Sequence, residues 1–396
     1  MPSISQKALH MPSSPIRKLV PYAEEAKKRG IHVHHLNIGQ PDIKTPEGAL
    51  RAVKEAQIDV LAYSRTEGSE AFREKIANYY QRLDLEVTAK DIIVTTGGSE
   101  ALSFALGSIL DPNDELIVPE PFYANYSGFA EAHNIKIVPI SCRFETQFSL
   151  PSIAEFEQLI TPRTKAILIC NPSNPTGYVY SKEELEQLAE IALKHNLFIL
   201  SDEVYREFVY DGAIHYSMLS FETLKEHVVV VDSVSKRYSM CGARIGFVVT
   251  RNSALRGAVL KFAQARLSPP TYAQIASEAA LDTEAHYFEE VLKEYSARRN
   301  FLVHALQQIP GVQTAIPKGA FYCIVKLPVK SAEDFAQWLL EHFSLDNETV
   351  MVAPAAGFYS TKGLGEDEVR IAYVLEIDAL KRAVHILEKG LEAYLA

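Results

Sequence analysis

Short apolar runs alternate with amphipathic stretches between residues 92 and 250 of the chain. Each run has the length and the β-branched content of a strand buried on both faces, and the stretches between several of them have a helical period. The predicted strands are 92–95, 115–118, 135–140, 166–170, 198–201, 228–231 and 246–250, and the predicted helices are 99–110, 122–133, 153–160 and 182–195. This alternation predicts an α/β fold with a mostly parallel seven-stranded sheet and helices on both faces.

The pattern changes on either side of this region, where short strands mix with helices. The other predicted elements are an N-terminal segment at 15–29 that ends in a helix, helices at 45–56, 71–83, 332–341 and 378–394, strands at 31–38, 319–327, 349–352 and 368–374, and a long helical region at 269–308. The C-terminal mixture predicts a smaller α+β domain that the N-terminal strand joins. We therefore expect residues 48–284 to form a large domain, and residues 1–47 together with 285–396 to form a small one.

The composition argues against several classes of protein. A formal net charge of −10 disfavours general nucleic-acid binding. No apolar run approaches the roughly 20 residues that span a bilayer, and the N-terminus lacks the apolar core of a signal peptide.

Alternate histidines on one predicted strand, His32 and His34, are not a metal site without further ligands, so no metal is expected. A cytoplasmic protein without a zinc site or disulfide scaffold is expected, because no CxxC pair occurs among Cys142, Cys170, Cys241 and Cys323.

Side chains that can do chemistry concentrate after the strand at 228–231. Four consecutive valines are followed there by Asp232, Ser233, Ser235, Lys236 and Arg237, and then by Arg244. Ligands of open α/β sheets bind just beyond the carboxyl ends of the strands. A lysine at such a place can form a Schiff base with a carbonyl, and an arginine offers a fork of donors to phosphate or carboxylate. The stretch therefore indicates a phosphate-bearing carbonyl cofactor, with a solvated basic loop as the alternative.

Two further strand ends suit a flat, phosphorylated ligand. After the strand at 92–95, Gly97 and Gly98 allow a tight turn, and Ser99 is placed to cap a helix whose first N–H groups can bind phosphate. After the strand at 115–118, Tyr123 or Phe122 could stack on a ring. An ordinary capped turn and a core aromatic residue are the structural alternatives at these two places.

The next two strand ends suit the polar atoms of a substituted pyridine. Asn174, in a loop dense in proline and asparagine, could donate its amide to a phenolate oxygen. Asp202 at the end of a buried strand needs a partner, and a protonated pyridine nitrogen would be a fitting one. Tyr205 could hydrogen-bond the phenolate. A plain turn and a helix-capping aspartate are the alternatives, but five such signals at successive strand ends together describe pyridoxal 5′-phosphate.

The sequence resembles the fold-type I, class I/II aminotransferases across nearly the whole chain. The matching motifs are LNIGQPD at 36–42, TGGSEAL at 96–102, NPSNPTG at 171–177, SDEVY at 201–205, SVSKRYSMCGARIGF at 233–247, GAFY at 319–322 and VRIAYV at 369–374. The resemblance implies the fold of type I pyridoxal-phosphate-dependent transferases. It also implies a homodimer with active sites at the subunit boundary, and ping-pong transfer of an amino group between an L-amino acid and a 2-oxo acid.

The resemblance further implies a role for each matching residue. Lys236 would form the Schiff base and move the proton, and Asp202 would pair with the pyridinium nitrogen. Arg370 would clamp the substrate α-carboxylate as a bidentate partner, with help from Asn174 and the backbone of Gly39. The other implied cofactor contacts are Tyr205 and Asn174 on the phenolate oxygen, Tyr123 against the ring, and Gly98, Ser99, Ser233, Arg244 and the neighbouring subunit's Tyr63 on the phosphate.

Departures from the family pattern leave the substrate open. Ser99 stands where some aspartate-specific relatives carry a lysine that reads a side-chain carboxylate, and Ala243 stands where a tryptophan is common. Arg237, Arg65 or Arg17 could replace that lysine, so aspartate, alanine, aromatic and branched-chain donors all remain candidates. Other hypotheses are a C–S β-lyase or a cyclopropane-forming synthase on the same scaffold. A non-catalytic sensor module is disfavoured, because too few residues precede the first motif to form a DNA-binding domain.

Overall fold

In the computed structural model, which describes residues 2–396, the strands form sheets of two, four and seven strands. In chain order the strands are β1 His32–His35, β2 Ile92–Thr95, β3 Glu115–Glu120, β4 Lys136–Ser141, β5 Thr164–Cys170, β6 Phe198–Asp202, β7 Val228–Ser233, β8 Gly246–Val249, β9 Gln313–Thr314, β10 Tyr322–Lys326, β11 Glu348–Met351, β12 Ala353–Pro354 and β13 Glu368–Ala372. The largest sheet has the order β2-β8-β7-β6-β5-β3-β4, and β8 alone is antiparallel to its neighbours. The predicted α/β fold with a mostly parallel seven-stranded sheet is therefore confirmed.

Helices cover both faces of the large sheet and pack around the smaller sheets. In chain order they are α1 Gln6–His10, α2 Val20–Lys28, α3 Glu47–Glu55, α4 Glu70–Gln81, α5 Gly97–Ile109, α6 Asn125–His133, α7 Ile153–Leu159, α8 Lys182–His195, α9 Val234–Arg237, α10 Ser253–Arg266, α11 Thr271–Ala280, α12 Ala285–Gln307, α13 Ala332–His342 and α14 Ile377–Leu395. Within residues 2–396, no helix combines the length and the apolar character needed to cross a membrane.

Burial on both faces explains the uninterrupted apolar strands of the large sheet. Along β7, Val229 and Val231 enter one core cluster, which α5 and α10 also line. Val228 and Val230 enter a second cluster, together with residues of α4, α8 and α11. Because successive side chains of a strand point to opposite faces, a strand between two cores needs apolar residues at every position.

The smaller sheets come from the two ends of the chain. Parallel pairing of β1 with β11 joins the N-terminal strand to the C-terminal region. The four-stranded sheet has the order β12-β13-β10-β9, and its pairs are antiparallel. The domain boundaries at 48–284, 1–47 and 285–396 stay a prediction.

Several local features differ from the expectation. Helix α10 was not predicted, although its buried positions Leu255, Val259 and Ala263 recur every four residues, as they do on one face of a helix. The helical region predicted at 269–308 divides into α11 and α12. Asp232 and Ser233 were expected in a loop but belong to β7, since hydrogen bonds to Asp232 satisfy its buried carboxylate inside the strand.

Candidate active site

A cavity of about 630 Å³ lies at the carboxyl ends of the central strands. It is lined by residues from several separate segments of the chain, including the loop after β1 and the strand β13. Eleven of the twelve predicted site residues line it, namely Gly39, Gly98, Ser99, Tyr123, Asn174, Asp202, Tyr205, Ser233, Lys236, Arg244 and Arg370. Their individual roles stay predictions, but their convergence on one cavity places a lysine, a carboxylate and two guanidinium groups around the same space.

Lys236 belongs to α9, a four-residue helical turn directly after β7. Ser233 caps this turn, because its Oγ accepts a hydrogen bond of 3.1 Å from the backbone N of Ser235. The Lys236 Nζ donates to the carbonyl oxygen of Gly39 at 2.7 Å and lies 3.7 Å from the Sγ of Cys241. The amine is therefore held at the cavity wall by the loop after β1.

Arg237, the next residue, is directed away from the cavity. It is 1% exposed, it donates to the carboxylate of Asp232 at 2.7 Å, and its Nε lies 3.2 Å from a carboxylate oxygen of Glu207. Its guanidinium carbon also lies 4.3 Å from the ring centre of Tyr79. These contacts fasten the end of α9 to β7 and α4, and they leave Arg237 unable to read a substrate side chain.

Of the other two candidate cations, only Arg17 lines the cavity. Arg65 is exposed and donates to Glu67 at 2.8 Å, outside the cavity of its own chain. The choice among the three arginines depended on side-chain direction, which the sequence pattern did not reveal.

Asp202 is the last residue of β6 and is 4% exposed. Its carboxylate accepts hydrogen bonds from the hydroxyl of Tyr126 at 2.8 Å and from the backbone N of Val204 at 3.4 Å. Burial raises the pKa of Asp202 to about 6, and the nearby charges of Asp232 and Glu203 act in the same direction. Within residues 2–396 this buried carboxylate has no cationic partner, so a protonated ring nitrogen in the cavity would complete the pair.

Tyr126 was missed by sequence reasoning, although its position in PEPFYANY carries a signal. Tyr126 is four positions after Phe122, and the centres of their rings lie 6.2 Å apart. Phe122 is buried outside the cavity, whereas Tyr123 lines it and accepts a hydrogen bond of 2.8 Å from the amide of Asn125. Of the two aromatic candidates for stacking on a ring, only Tyr123 faces the cavity.

The start of α5 and Arg244 lie side by side at the cavity, in an arrangement that suits an anion. Gly97 has φ of +80°, and a Cβ there would lie 2.3 Å from the Nη2 of Arg244. Only glycine therefore lets the guanidinium approach the first turn of the helix, where backbone N–H groups and the helix dipole favour an anion. The helix begins at Gly97 and not at the predicted residue 99, so Ser99 lies inside the first turn instead of capping it.

Arg370 also lines the cavity and is 1% exposed. Its Nη1 donates to the Oδ1 of Asn174 at 3.0 Å, and its Nη2 donates to the carbonyl oxygen of Asn37. Its guanidinium carbon lies 4.5 Å from the ring centre of Tyr322, whose hydroxyl is 2.9 Å from the Tyr205 hydroxyl. Burial lowers the pKa of Arg370, and within residues 2–396 its Nε has no hydrogen-bond partner. This buried cation is thus suited to an anionic ligand.

Tyr63 is the one predicted site residue outside the cavity. Its side chain is 82% exposed on the surface of its own chain. The resemblance assigned Tyr63 to the phosphate of a neighbouring subunit, and an exposed position is compatible with that assignment.

Comparison with known proteins identifies the family. The aminotransferase class I and II family matches residues 31–387, and the chain belongs to this family. An aspartate aminotransferase of Pyrococcus horikoshii is 34% identical over 395 residues, which cover 98% of this chain and 97% of the relative. The protein is a pyridoxal-phosphate-dependent aminotransferase, which moves an amino group between an amino acid and a 2-oxo acid, and the predicted enzyme class and cofactor are confirmed.

Solved structures agree with the family assignment. An aspartate aminotransferase from Thermus thermophilus with maleate has a TM-score of 0.89 at 30% identity and covers 98% of this chain and 100% of its own. An alanine aminotransferase from Pyrococcus furiosus has a TM-score of 0.91 at 32% identity and covers 99% of this chain and 100% of its own. Together these neighbours confirm the type I transferase fold.

Proposed function

We propose that Lys236, Asp202 and Arg370 divide the work of transamination in the described cavity. The observation that carries this proposal is that an amine, a buried carboxylate and a buried guanidinium without a carboxylate partner converge there from three separate segments. Pyridoxal phosphate, when bound, supplies an electron-withdrawing ring that makes the substrate Cα proton acidic. The protein must therefore bind the substrate, keep the ring nitrogen protonated and carry one proton.

Lys236 is the proposed covalent and proton-carrying residue. Its Nζ would hold the cofactor covalently at the aldehyde carbon, whose oxygen leaves as water, and the amine set free by the incoming amino group would accept the Cα proton. The carbonyl of Gly39, 2.7 Å from the Nζ, keeps the free amine inside the cavity. An amine held in this way stays close to the bound substrate, so that it can accept the proton and then donate it again inside the cavity.

Asp202 and the residues around it would orient the cofactor. An ionised Asp202 would hold the ring nitrogen in its protonated form, and Tyr126 would keep the carboxylate in place through its 2.8 Å hydrogen bond. Tyr205 and Asn174 would contact the phenolate oxygen, and Tyr123 would stack on the ring. The remaining contacts, with the phosphate, would come from Gly98, Ser99, Ser233 and Arg244.

Replacing Arg370 with alanine is expected to raise KM for every amino donor. The loss of a buried bidentate contact to the α-carboxylate should reduce kcat/KM on the order of 100-fold, whatever the donor side chain. Steady-state kinetics with several donors will measure this effect. Arg382→Ala is the control, because Arg382 pairs with Asp346 and Glu348 outside the cavity. Unchanged KM values in Arg370→Ala would refute the assignment of the α-carboxylate site.

We also propose a homodimer in which Tyr63 reaches the phosphate bound by the partner. Tyr63 is exposed together with Val60, Leu61, Leu267 and Tyr272. The two segments are neighbours, because the Ser64 hydroxyl donates to the carbonyl oxygen of Pro269 at 3.1 Å. A cluster of exposed apolar residues on a single chain is typical of a subunit interface.

A mixing experiment tests this arrangement. Tyr63→Ala should weaken cofactor binding about 10-fold, as expected for one lost hydrogen bond to a charged group. At limiting cofactor, a hybrid of a Tyr63→Ala subunit and a Lys236→Ala subunit should regain activity, since one of its two sites then combines an intact Lys236 with an intact Tyr63. If Tyr63 served its own subunit, the hybrid would contain no intact site, and mixing would restore nothing.

The donor proposed here is a small L-amino acid, with aspartate favoured. Two of the compared proteins are named as aspartate aminotransferases, and the Thermus thermophilus structure contains maleate, which is a dicarboxylate. The Pyrococcus furiosus neighbour is named as an alanine aminotransferase. A panel of aspartate, glutamate, alanine, phenylalanine and leucine against 2-oxoglutarate will rank these donors.

The domain division and the cellular location remain proposals. A boundary near residues 48 and 284 is supported by the sheets, because all seven strands of the large sheet lie between those residues and the others lie outside. A cytoplasmic location is supported by four unpaired cysteines, three of which are buried.

A further inference from the structure

Within residues 2–396, four cationic side chains line the cavity, namely Arg17, Lys236, Arg244 and Arg370. The proposed function gives roles to the last three, in cofactor attachment, phosphate binding and α-carboxylate binding. Arg17 has no such role. Within residues 2–396 its side chain makes no ion pair and no hydrogen bond, so its guanidinium is free to meet a ligand.

The backbone around Arg17 is held in place even though its side chain is free. The carbonyl oxygen of Ser14 accepts hydrogen bonds from the backbone N of Arg17 at 3.1 Å and from that of Lys18 at 3.0 Å. The turn is followed by Leu19, which is buried in the core. Arg17 is therefore presented by an ordered turn just before α2.

Asn37 connects this turn to the proposed α-carboxylate site. Its Nδ2 donates to the carbonyl oxygen of Ile16 at 3.0 Å, and its own carbonyl oxygen accepts from Arg370. Asn37 is completely buried. One residue thus ties the turn that carries Arg17 to the guanidinium that would bind the substrate backbone.

We propose that Arg17 determines donor specificity by binding the side-chain carboxylate of a dicarboxylic amino acid. This inference rests on the proposed function, in which Arg370 takes the α-carboxylate. Within residues 2–396 the only carboxylate that lines the cavity is Asp202, which the proposed function assigns to the ring nitrogen, so no other internal carboxylate competes with a ligand for Arg17. Its planar fork matches a carboxylate bidentately. Arg17 thereby supplies the charge that a lysine at the position of Ser99 would give.

Lys18 provides a matched control on the same turn. It is exposed like Arg17, but it pairs with Glu333 and is not among the residues that line the cavity. A general loss of positive charge, or a general loosening of this turn, would affect Lys18→Ala and Arg17→Ala alike. A specific contact with the substrate would affect only Arg17→Ala.

The donor half-reaction is the kinetic test, because it involves no dicarboxylic 2-oxo acid acceptor. The cofactor-loaded enzyme is mixed with one donor, and the loss of the aldehyde-form absorbance is followed in a single turnover. In Arg17→Ala the rate constant at low donor concentration should fall on the order of 10- to 100-fold for aspartate and glutamate. It should stay within about twofold for alanine and phenylalanine, because those side chains carry no carboxylate. Arg17→Lys should recover part of the loss, and Lys18→Ala should match the unmodified enzyme.

Binding of maleate gives a second readout that does not depend on turnover. Its Kd, measured by calorimetry on the loaded enzyme, should rise on the order of 10-fold or more in Arg17→Ala and stay unchanged in Lys18→Ala. Binding of propionate, which has one carboxylate, should be the same in both variants.

Several results would overturn the inference. An equal loss for all four donors in Arg17→Ala would assign Arg17 a structural role, and unchanged rates with aspartate would show that it does not contact the side chain. An unmodified enzyme that prefers alanine to aspartate would also contradict it. Failure of the unmodified enzyme with every donor would instead count against the proposed function, while the maleate measurement would still test Arg17.

Discussion

Replacing Lys236 with alanine is expected to lower the rate of transamination at least about 1000-fold, since one side chain serves as both the covalent attachment point and the proton carrier. The structure supports a single residue for both tasks, because the Nζ lies in the cavity and is held at 2.7 Å by the Gly39 carbonyl. No other lysine lines the cavity among residues 2–396. The variant should also lose the visible absorbance that marks covalently bound cofactor.

Two controls make the Lys236 result specific. The variant should retain the circular dichroism spectrum of the unmodified protein, because α9 is anchored by the side chains of Ser233 and Arg237 and not by Lys236. Lys225→Ala, which removes an exposed lysine from a surface segment before β7, should keep full activity. Substantial transamination by Lys236→Ala would mean that another group carries the proton.

Replacing Asp202 with asparagine is expected to leave cofactor attached and to reduce kcat on the order of 100-fold or more. Lys236 and Arg244 remain to hold the cofactor, but a neutral amide cannot keep the ring nitrogen protonated, so the ring withdraws fewer electrons. Visible absorbance and kcat, measured on the same preparation, separate these two effects. A variant with normal kcat would show that the carboxylate is not needed for chemistry.

Although Asp202→Asn should reduce kcat, it should stabilise the cofactor-free protein at high pH. The pKa of Asp202 is about 6 in the folded protein against an ordinary value of 3.8, chiefly because of burial. The folded state therefore holds this proton more tightly, and the contribution of the group to stability decreases as the pH rises from 3.8 towards 6. Above that window a charged carboxylate stays buried without a cation. Cofactor-free Asp202→Asn should thus have a higher Tm than the unmodified protein at pH 8, a difference that should shrink or vanish by about pH 4.

Much of the large sheet follows from the sequence because the physical signals are local. The run Val228–Val231 suits a strand buried on both faces, and the predicted bounds of β2 and α8 agree with the structure residue for residue. The strand-end residues were found for a related reason. Parallel strands bring their carboxyl ends to one edge, so polar residues directly after the strands must share a site.

The sequence did not predict the contacts between segments that lie far apart along the chain. Tyr126 reaches Asp202 from α6, and Asn37 links Ile16 to Arg370, yet none of these pairs has a sequence spacing that reveals it. Arg237 looked like a ligand residue because it follows Lys236. Its direction depends on one helical turn and on Asp232 inside β7, which only the packed structure shows.

The covalent attachment of the cofactor to Lys236 is the claim on which the proposed mechanism depends most. The measurement that tests it is reduction of the loaded enzyme with borohydride, followed by mass spectrometry of its peptides. The proposed site requires one phosphopyridoxyl group per chain, on the peptide that contains Lys236. A label on any other lysine, or no label in a protein loaded with the cofactor, would contradict the account.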